Sequence, residues 1–413
     1  MTDKPSEMIR RLFQGDPVAI ANPYPLYHAI CNNSSVVEAE EMNGVASWHV
    51  FDYENVAAAF RDPRLSARRD MGARQEIPLA SLTEQQRERA LFSRQTVAQM
   101  MLNLDPPDHT RLRKLVAASF TPRMVESRRA QVQKIVDQLL TTLEPAGTMD
   151  VVADLSYPLP TTVIAQLLGA PVEDLDLFKR WSHGLIAIRQ AVTNHIPNTM
   201  WEMADYFRTM IAQRRVHPQD DLMSALVTAK DQDDALSEEE IISQCFLLLV
   251  AGHETTTYAL SSSVLALLCK PEVWQALEAR TIGTAVEELL RYESPFQVIS
   301  RKASTDLEIA GQHIRQGSYV WLWLGAANHD PQQFPDPDEL QLSRTENHHL
   351  AHLAFGTGIH YCLGAALARL ELQTALLTLR KRYPHLHMLY EEVAWRERLP
   401  IRGPKVLPVA FAL

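Results

Sequence analysis

The chain has 413 residues, of which 46% are hydrophobic and 22% are charged, so it can bury a large core and is not expected to be disordered. With 40 Lys and Arg against 50 Asp and Glu, the formal net charge is -10, which disfavours non-specific binding to nucleic acids and anionic membranes. The four cysteines are Cys31, Cys245, Cys269 and Cys362, and no two form a C-x-x-C pair. Neither a disulfide framework nor a zinc ribbon is predicted, and a reducing, cytoplasmic location fits best.

The N-terminal segment Met1 to Phe13 alternates charged and apolar residues and lacks the apolar stretch of a signal peptide or membrane anchor. The longest apolar runs, such as Cys245 to Ala251 and Tyr319 to Leu324, are shorter than the roughly 18 to 20 residues that span a bilayer. We therefore predict a mature chain that begins at Met1 and has no membrane partner.

Apolar residues at steps of three and four predict helices along most of the chain. The predicted helices are Val125 to Leu143, Thr199 to Arg214, Glu238 to Leu268, Thr284 to Tyr292 and Ala365 to Tyr383. Short strands are predicted at Gly44 to Val50, Leu307 to Ile309, Tyr319 to Leu324 and Val406 to Ala412. The predicted fold class is mainly α with small β-sheets, and no βαβ alternation is present in the sequence.

The 24 prolines fall in several connections, and no single linker or internal repeat divides the chain. We therefore expect one domain over residues 1–413. The segment Met71 to Gln99 is polar and irregular, which predicts a long surface loop or lid.

The strongest signal is the segment Phe355 to Gly364, FGTGIHYCLG, which leads directly into an Ala- and Leu-rich helical pattern. Gly356 and Gly358 permit a tight loop that can approach a planar ligand, and Gly364 would let the helix pack closely. Cys362 lies where the helix begins, and there backbone N–H groups and the helix dipole favour the ionised sulfur that binds metals. Taken alone, a cysteine beside a glycine turn is more often a small core residue.

This segment resembles the cysteine-ligand signature of the cytochrome P-450 family, and the resemblance extends over nearly the whole chain from Asn22 onward. It implies a triangular, mostly α fold that binds haem b (iron protoporphyrin IX), with Cys362 as the iron ligand and Phe355, Gly356 and Gly364 at the cofactor. In that family the thiolate favours O–O cleavage. The implied reaction is a monooxygenation, in which one atom of O2 enters a C–H bond or double bond and the other leaves as water.

The segment Leu247 to Thr256 places a glycine, an acid and two hydroxyls inside an otherwise apolar helix. A glycine costs about 1 kcal/mol in a helix interior, and a mid-helix Thr can bond to a preceding carbonyl and bend the helix. A kinked core helix with a satisfied acid explains this segment equally well by itself. Its resemblance to the family's oxygen-binding helix implies that Glu254 and Thr255 supply protons for O–O cleavage. Leu247, Ala251 and Thr255 would share a face toward substrate.

Glu288 and Arg291 are three residues apart on a predicted helix, a spacing that most often indicates a weak surface ion pair. The segment Glu287 to Tyr292 is similar to the family's Glu-x-x-Arg element, in which a downstream arginine joins the pair. Arg344 is the predicted third member. We expect these three residues to support structure and not chemistry.

Haem carries two propionates, and the resemblance assigns four cationic or hydrogen-bonding side chains to them. They are His109, Arg113, Arg301 and His360. His109 and Arg113 are four residues apart and so share a helix face, and an arginine can bind a carboxylate through two parallel hydrogen bonds. Without the cysteine segment, all four would be interpreted as solvated surface residues.

Two further histidine patterns occur in the sequence. His348 and His352 have the spacing of a zinc-protease helix, but the catalytic glutamate is missing and a zinc role is disfavoured. The run His352 to Gly356 is instead usual in the resembled family before its cysteine. His329 is a departure from that family, because it stands where Asn-Arg-Asp is usual, and it would weaken a local ion pair.

By family position, substrate selection falls to residues 71–104, residues 181–201, the distal helix face and Val298-Ile299. Their apolar side chains, including Leu185 and Ile186, suggest a hydrophobic small-molecule substrate such as a fatty acid, terpenoid, steroid or polyketide. The predicted substrate-contacting residues are Leu247, Leu248, Ala251, Val298, Ile299, Met100 and Met101.

Only 51 residues follow Cys362 (413 minus 362), and none carries a nucleotide-binding glycine pattern, so a separate reductase is expected. The resemblance implies electrons from NAD(P)H through a ferredoxin or flavodoxin, and a monomeric enzyme. A peroxygenase or isomerase of the same family needs no electron donor, but Glu254 and Thr255 argue against it. A haem-based binder or sensor would need no proton relay, and a zinc hydrolase is the remaining rival.

Overall fold

The computed structural model describes residues 4–40, 46–68, 82–118, 120–181, 198–231, 234–344 and 351–411. The helices of these residues are α1 (Pro5–Gln14), α2 (Pro17–Ala21), α3 (Tyr24–Cys31), α4 (Tyr53–Ala59), α5 (Glu84–Ala98), α6 (Asp108–Ala117), α7 (Pro122–Ser127), α8 (Arg129–Leu143), α9 (Pro158–Leu167), α10 (Asn198–Val216), α11 (Leu222–Thr228), α12 (Glu238–Leu268), α13 (Pro271–Gln275), α14 (Ile282–Tyr292), α15 (Leu324–Ala327) and α16 (Ala365–Arg382). The strands are β1 (Val36–Glu40), β2 (Ala46–Val50), β3 (Leu65–Ser66), β4 (Thr148–Asp150), β5 (Lys230–Asp231), β6 (Asp234–Ala235), β7 (Ile299–Ala303), β8 (Leu307–Ile309), β9 (Gln312–Ile314), β10 (Tyr319–Leu322), β11 (His387–Met388) and β12 (Pro408–Ala410). The predicted fold class, mainly α with small β-sheets, is confirmed.

The chain divides into two units. The first unit comprises Met1–Ser66, Arg128–Leu159 and Thr255–Leu413, and the second comprises Ala67–Ser127 and Pro160–Glu254. The division falls within helix α12, between Glu254 and Thr255. The single domain expected from the sequence stays a prediction.

The largest sheet belongs to the first unit and has the strand order β1-β2-β10-β7-β3. Strand β10 runs parallel to β2 and antiparallel to β7, and the register places Arg301 opposite Val320. Side chains alternate along β7, so that Arg301 and Ala303 are buried while Lys302 between them is partly exposed. The same unit holds the sheet β11-β12-β4 and the hairpin β8-β9, and the second unit holds the hairpin β5-β6.

An apolar core packs on the largest sheet and extends to Leu353, two residues before the predicted cysteine segment. It includes Val50, Val320 and Leu322 from the strands, together with Phe60 and Leu353. Fully burying an aliphatic or aromatic side chain of this size contributes about 1.5–3 kcal/mol, so the chain is firmly fixed at both Phe60 and Leu353. The backbone at Leu353, which leads into the predicted cysteine segment, is therefore held in place by the core.

Helices α12 and α16 provide the two elements on which the functional predictions rest. Helix α12 begins with three glutamates, Glu238–Glu240, which suit the positive end of the helix dipole. Helix α16 ends with Arg380, Lys381 and Arg382, which suit its negative end. Within the first unit, α16 packs against α8 and α14.

Most predicted boundaries are close to the observed ones, and two differ. The helix predicted from Val125 to Leu143 is interrupted at Arg128, where α7 ends and α8 begins. The loop predicted from Met71 to Gln99 is wrong for Glu84–Ala98, which is helix α5. That helix lacks an apolar stripe, but it has a capping box in which Thr83 and Gln86 bond to each other's backbone N–H groups. Residues 71–81 lie outside the described part of the chain.

Among the described residues, no helix combines the length and the apolar character that crossing a bilayer requires. All four cysteines lie in described residues, and none of them is joined in a disulfide.

Candidate functional site

The predicted metal ligand Cys362 is partly buried at the N-terminal end of α16. Its amide N–H donates to the carbonyl of Phe355 at 3.0 Å, and its own carbonyl accepts from the amide of Ala365 at 3.4 Å. The chain segment that precedes Cys362 is anchored as well, since the amide of Leu353 donates to Oδ1 of Asn328 at 2.7 Å. The residues from Phe355 to Gly364, which we call the cysteine loop, are thus closed on themselves and fixed to the core.

Two glycines make this closure possible. Gly356 and Gly358 have φ values of 65° and 73°, in the left-handed region that favours glycine. A Cβ at Gly358 would lie 2.8 Å from the carbonyl oxygen of Phe60, and one at Gly356 would lie 3.5 Å from the Phe60 ring. Sequence reasoning missed Phe60, because nothing in its own surroundings indicates a contact almost 300 residues away.

The sequence predicts that Gly364 lets the following helix pack closely, and this stays a prediction. Apart from its chain neighbours, no described atom lies within 4 Å of the position that its Cβ would take. A side chain at Gly364 would therefore enter open space two residues from Cys362. A sulfur donor at a helix N-terminus suits a metal-containing cofactor, so the donor chemistry of Cys362 fits the predicted ligand role.

Two of the predicted propionate-binding residues lie in the first unit with Cys362. Arg301 is 6% exposed, its guanidinium donates to the carbonyl of Ser300 at 3.0 Å, and it lies 5.4 Å from the centre of the Phe60 ring. Phe60 therefore links Arg301 to the glycines of the cysteine loop. His360 belongs to the loop itself, in the 3₁₀ turn Gly358–His360, and is partly buried.

The other two predicted propionate-binding residues lie on α6 in the second unit. His109 is 2% exposed and Arg113 is partly exposed. Burial lowers the pKa of His109 below its ordinary value of 6.5, and the charge of Arg113 acts in the same direction, while Asp105 opposes it. Burial thus favours the neutral form of the His109 imidazole, which can still donate one hydrogen bond to a carboxylate.

The middle of α12 carries the predicted acid and alcohol. Glu254 is buried at 3% exposure, and Thr255 is partly buried. Ala251, one helical turn before Thr255, is exposed although most of this helix is buried. A Cβ at Gly252 would meet only Ile164, at an ordinary 3.9 Å, so packing does not require a glycine there. One stretch of an otherwise buried helix is thus left open around Ala251.

The remaining residues predicted to contact substrate are mostly buried. In the second unit, Leu247 and Leu248 are 6% and 8% exposed, Met100 is buried, and the amide of Met101 donates to Oε1 of Gln244 at 3.2 Å. In the first unit, Val298 packs in an apolar cluster with Phe51 and Trp323, and Ile299 is partly exposed. Val298 is accordingly the least accessible of this set. Leu185 and Ile186 lie outside the described residues.

The structure brings together Glu288, Arg291 and Arg344. Arg291 donates to both carboxylate oxygens of Glu288 at 2.8 and 2.9 Å, and Arg344 donates to one of them at 3.1 Å. The amide of Gln341 donates to the same oxygen at 3.0 Å, and Arg291 also donates to the carbonyl of Asn328 at 2.8 Å. Glu288 and the Arg291 side chain are 0% exposed, so this group is internal and not a surface ion pair.

A second charged group, which sequence reasoning missed, contacts the cysteine loop. Arg369 donates to both oxygens of Glu287 at 2.6 and 2.7 Å, and His352 bonds to the same carboxylate at 3.2 Å. The amide of Ala354 donates to Nδ1 of His352, so it is Nε2–H that donates to Glu287. Both ring nitrogens of His352 are thereby used. His348 lies outside the described residues, and no metal-binding cluster of three ligands occurs within them.

His329, the departure from the resembled family, is 1% exposed and stacks on Tyr24 with ring centroids 3.9 Å apart. Its Nδ1 lies 2.9 Å from Asp338, and its Nε2 lies 3.0 Å from the carbonyl of Tyr292. Burial lowers its pKa, partly offset by the hydrogen bond with Asp338. A histidine–carboxylate contact is therefore present at this departure from the resembled family, and the predicted weakening of a local ion pair stays a prediction.

The chain matches the family model described as "Cytochrome P450" over residues 82–280 and 282–388. The biotin biosynthesis cytochrome P450 of Bacillus subtilis (strain 168) is 39% identical over 402 residues, which cover 95% of this chain and 97% of the relative. The mycinamicin IV hydroxylase/epoxidase of Micromonospora griseorubida is 39% identical over 379 residues, covering 89% of this chain and 90% of the relative. The crystal structure of P450BioI in complex with hexadec-9Z-enoic acid ligated acyl carrier protein superposes with a TM-score of 0.84 at 38% identity, covering 96% of this chain and 99% of that one. The similarity extends far beyond the cysteine loop.

Proposed function

We propose that this chain, which belongs to the cytochrome P450 family, inserts one oxygen atom of O2 into a hydrophobic small molecule by hydroxylation or epoxidation. As a member it is a monooxygenase, like the hydroxylases among its relatives. The observation that carries the proposal is the position of Cys362 at the start of α16, in a loop closed by its bond to the Phe355 carbonyl. A thiolate at a helix N-terminus is favoured by the helix dipole.

The cofactor that we propose is haem b. Cys362 would ligate the iron, and His109, Arg113, Arg301 and His360 would bind the propionates. When bound, the haem activates O2 with two electrons and two protons, and a thiolate ligand favours cleavage of the O–O bond. A buried guanidinium such as that of Arg301 is a strong donor to a carboxylate, which supports its assignment.

Protons would be delivered by the two polar residues in the middle of α12. We assign to Oγ1 of Thr255 the role of holding the proton that is delivered, and to the carboxyl of Glu254 that of replacing it. Their location inside an apolar helix supports these roles, since an acid and an alcohol there are unfavourable for stability alone. Leu247 and Ala251 are on the same helix and would contact the substrate.

Electrons would come from NAD(P)H through a separate reductase and a ferredoxin or flavodoxin, and the enzyme would act as a monomer. A haem-thiolate peroxygenase or isomerase, or a haem-based binder, is the alternative. None of these alternatives requires a proton relay. The presence of Glu254 beside Thr255 therefore favours the O2-dependent reaction.

The experiment that tests the proposal is the absorption spectrum of the dithionite-reduced protein with carbon monoxide. We expect the long-wavelength Soret band that is characteristic of a thiolate ligand opposite carbon monoxide, which we call the thiolate-type band. Substrates can then be screened by the spin-state change that they cause. A purified protein with no Soret band at all would overturn the haem assignment.

Two cysteine variants make the test specific. Cys362→Ser is expected to abolish the thiolate-type band, because an alcohol does not replace a thiolate as the ligand. Cys269→Ser is the matched control, since Cys269 is exposed just after the end of α12 and outside the cysteine loop. If both variants kept the band, Cys362 would not be the ligand.

A further inference from the structure

Arg369, in the second turn of α16, contacts the cysteine loop on both sides of its closure. The centre of its guanidinium lies 4.4 Å from the centroid of the Phe355 ring, within the range of a cation–π interaction. Its Nη1 donates to the hydroxyl of Tyr361 at 3.2 Å. Phe355 begins the loop, and Tyr361 immediately precedes Cys362.

The orientation of the guanidinium is fixed from the other side. Nε and Nη2 of Arg369 donate to the two oxygens of Glu287, which is the bidentate geometry that restrains an arginine most strongly. Burial raises the pKa of the Glu287 carboxyl, but the hydrogen bonds from Arg369 and His352 outweigh it and bring the pKa to about 2. Glu287 is therefore ionised throughout the physiological range.

These contacts lead to the backbone of the predicted ligand. The Phe355 carbonyl accepts the amide N–H of Cys362, so a shift of Phe355 would also shift the amide that closes the loop. The rings of Phe355 and Tyr361 additionally meet edge to face, 6.3 Å apart. Arg369 thus contacts the side chains of Phe355 and Tyr361. Phe355 bonds to the Cys362 amide and Tyr361 precedes Cys362 in the chain, so both restrain the Cys362 backbone.

We propose that Arg369, oriented by Glu287, is a positioning residue that keeps the Cys362 thiolate as the ligand of the haem iron. This inference rests on the proposed function, because it concerns the stability of that ligand. Arg369 is also 28% exposed, so a second role as a surface cation for an acidic electron-transfer protein has to be separated from the first. In the positioning role, the charge of Arg369 is paired with Glu287 of the same chain and not with a partner protein.

The test compares Arg369→Ala, Arg369→Lys and Arg380→Ala in the purified haem protein. Arg380 is a matched control, since it lies on the same helix and over the ring of Trp274, and its hydrogen bonds among the described residues go to Trp274 and Gln275. In the reduced carbon monoxide complex, the thiolate-type band of Arg369→Ala should convert to the shorter-wavelength band of a lost or protonated thiolate about 10-fold faster than in the wild type. Arg380→Ala should match the wild type.

Arg369→Lys separates charge from geometry. A lysine can still pair with Glu287, but it lacks the planar fork that reaches Glu287 and Tyr361 together. We expect its conversion rate to lie between those of the wild type and Arg369→Ala. If Arg369→Ala does not retain haem, Arg369→Lys and Tyr361→Phe, which removes only the hydroxyl contact, provide the same comparison.

A different result would identify Arg369 as a docking cation for the electron-transfer protein. If Arg369→Ala keeps the wild-type spectrum and conversion rate while its KM for a plant-type ferredoxin rises, Arg369 is a docking cation and the inference is wrong. A wild-type protein without the thiolate-type band would instead overturn the proposed function, and it would be recognised before any variant is compared.

Discussion

Glu287 and Glu288 are consecutive residues on α14, yet they serve different parts of the first unit. Glu288 is 0% exposed and binds Arg291 and Arg344, while Glu287 is 27% exposed and binds Arg369. Successive helical residues point about 100° apart, so one carboxylate faces the interior and the other faces the cysteine loop. Their neighbours on the helix are nearly the same, and the difference comes from what each side chain meets.

The partners show what each glutamate organises. Around Glu288, the two arginines also donate to backbone carbonyls, as Arg291 does to Pro337 at 2.8 Å and Arg344 does to Glu339 at 2.9 Å. This group therefore holds the path of an irregular chain segment. The Glu287 group instead contacts side chains of the cysteine loop through Arg369. We expect the first group to maintain the fold and the second to position the cysteine loop, and variants can separate the two roles.

The largest effect is expected from Glu288→Gln. The substitution removes the only carboxylate in contact with two buried arginines, as far as the hydrogen bonds of the described residues show. Breaking a buried ion pair on one side typically costs about 3–5 kcal/mol, because the remaining charge is left unpaired. The free energy of unfolding, measured with guanidinium chloride, should fall by this amount. Equal losses for Glu288→Gln and Glu287→Gln would contradict the division of roles.

An intermediate effect is expected from Asn328→Ala, because Asn328 serves both regions. Its carbonyl accepts from Arg291, and its side-chain oxygen accepts from the amide of Leu353, just before the cysteine loop. The variant keeps the first bond and leaves the buried Leu353 amide without its partner, at a cost of about 2–3 kcal/mol. Both the free energy of unfolding and the fraction of thiolate-type band should decrease.

The control for that prediction is Ser294→Ala, which removes the hydroxyl that accepts from Nδ2 of Asn328 at 2.7 Å. It leaves the bond to Leu353 in place. We expect it to lower stability without changing the carbon monoxide spectrum. A spectral change as large as that of Asn328→Ala would mean that the bond to Leu353 is not what fixes the loop.

The sequence predicted the elements that depend on a pattern of neighbouring residues, namely the long helices and the cysteine loop. Helix α12 was predicted with its observed bounds and α16 to within one residue, because their apolar periodicity is long and regular. The cysteine loop could be recognised because its glycines, Cys362 and the following helix are contiguous. The role of Arg369 could not be predicted from the sequence, because it depends on the hydrogen bonds to Glu287, 82 residues earlier in the chain. Phe60 was missed for the same reason, and α5 because its stability comes from capping and propensity instead of an apolar stripe.

The smallest of the three effects is expected from Glu287→Gln. Glu287 and Arg369 are both partly exposed, so the loss at neutral pH should be about 1–2 kcal/mol, below that of a fully buried pair. The pKa of Glu287 is lowered from 4.5 to about 2, so the unfolded chain binds more protons there than the folded protein does. The stabilisation is therefore complete above the ordinary pKa and is lost as the pH falls toward the lowered one.

Urea unfolding of the wild type and Glu287→Gln at a series of pH values would measure this directly. The difference in unfolding free energy should be constant near neutral pH and should narrow as the pH falls below about 4.5, the ordinary pKa of the group. His352 contributes to the lowered pKa, so His352→Gln should reduce the pH dependence without removing it. A difference that does not change with pH would show that Glu287 acts through packing alone, and the comparison with Glu288 would then rest on burial and not on charge.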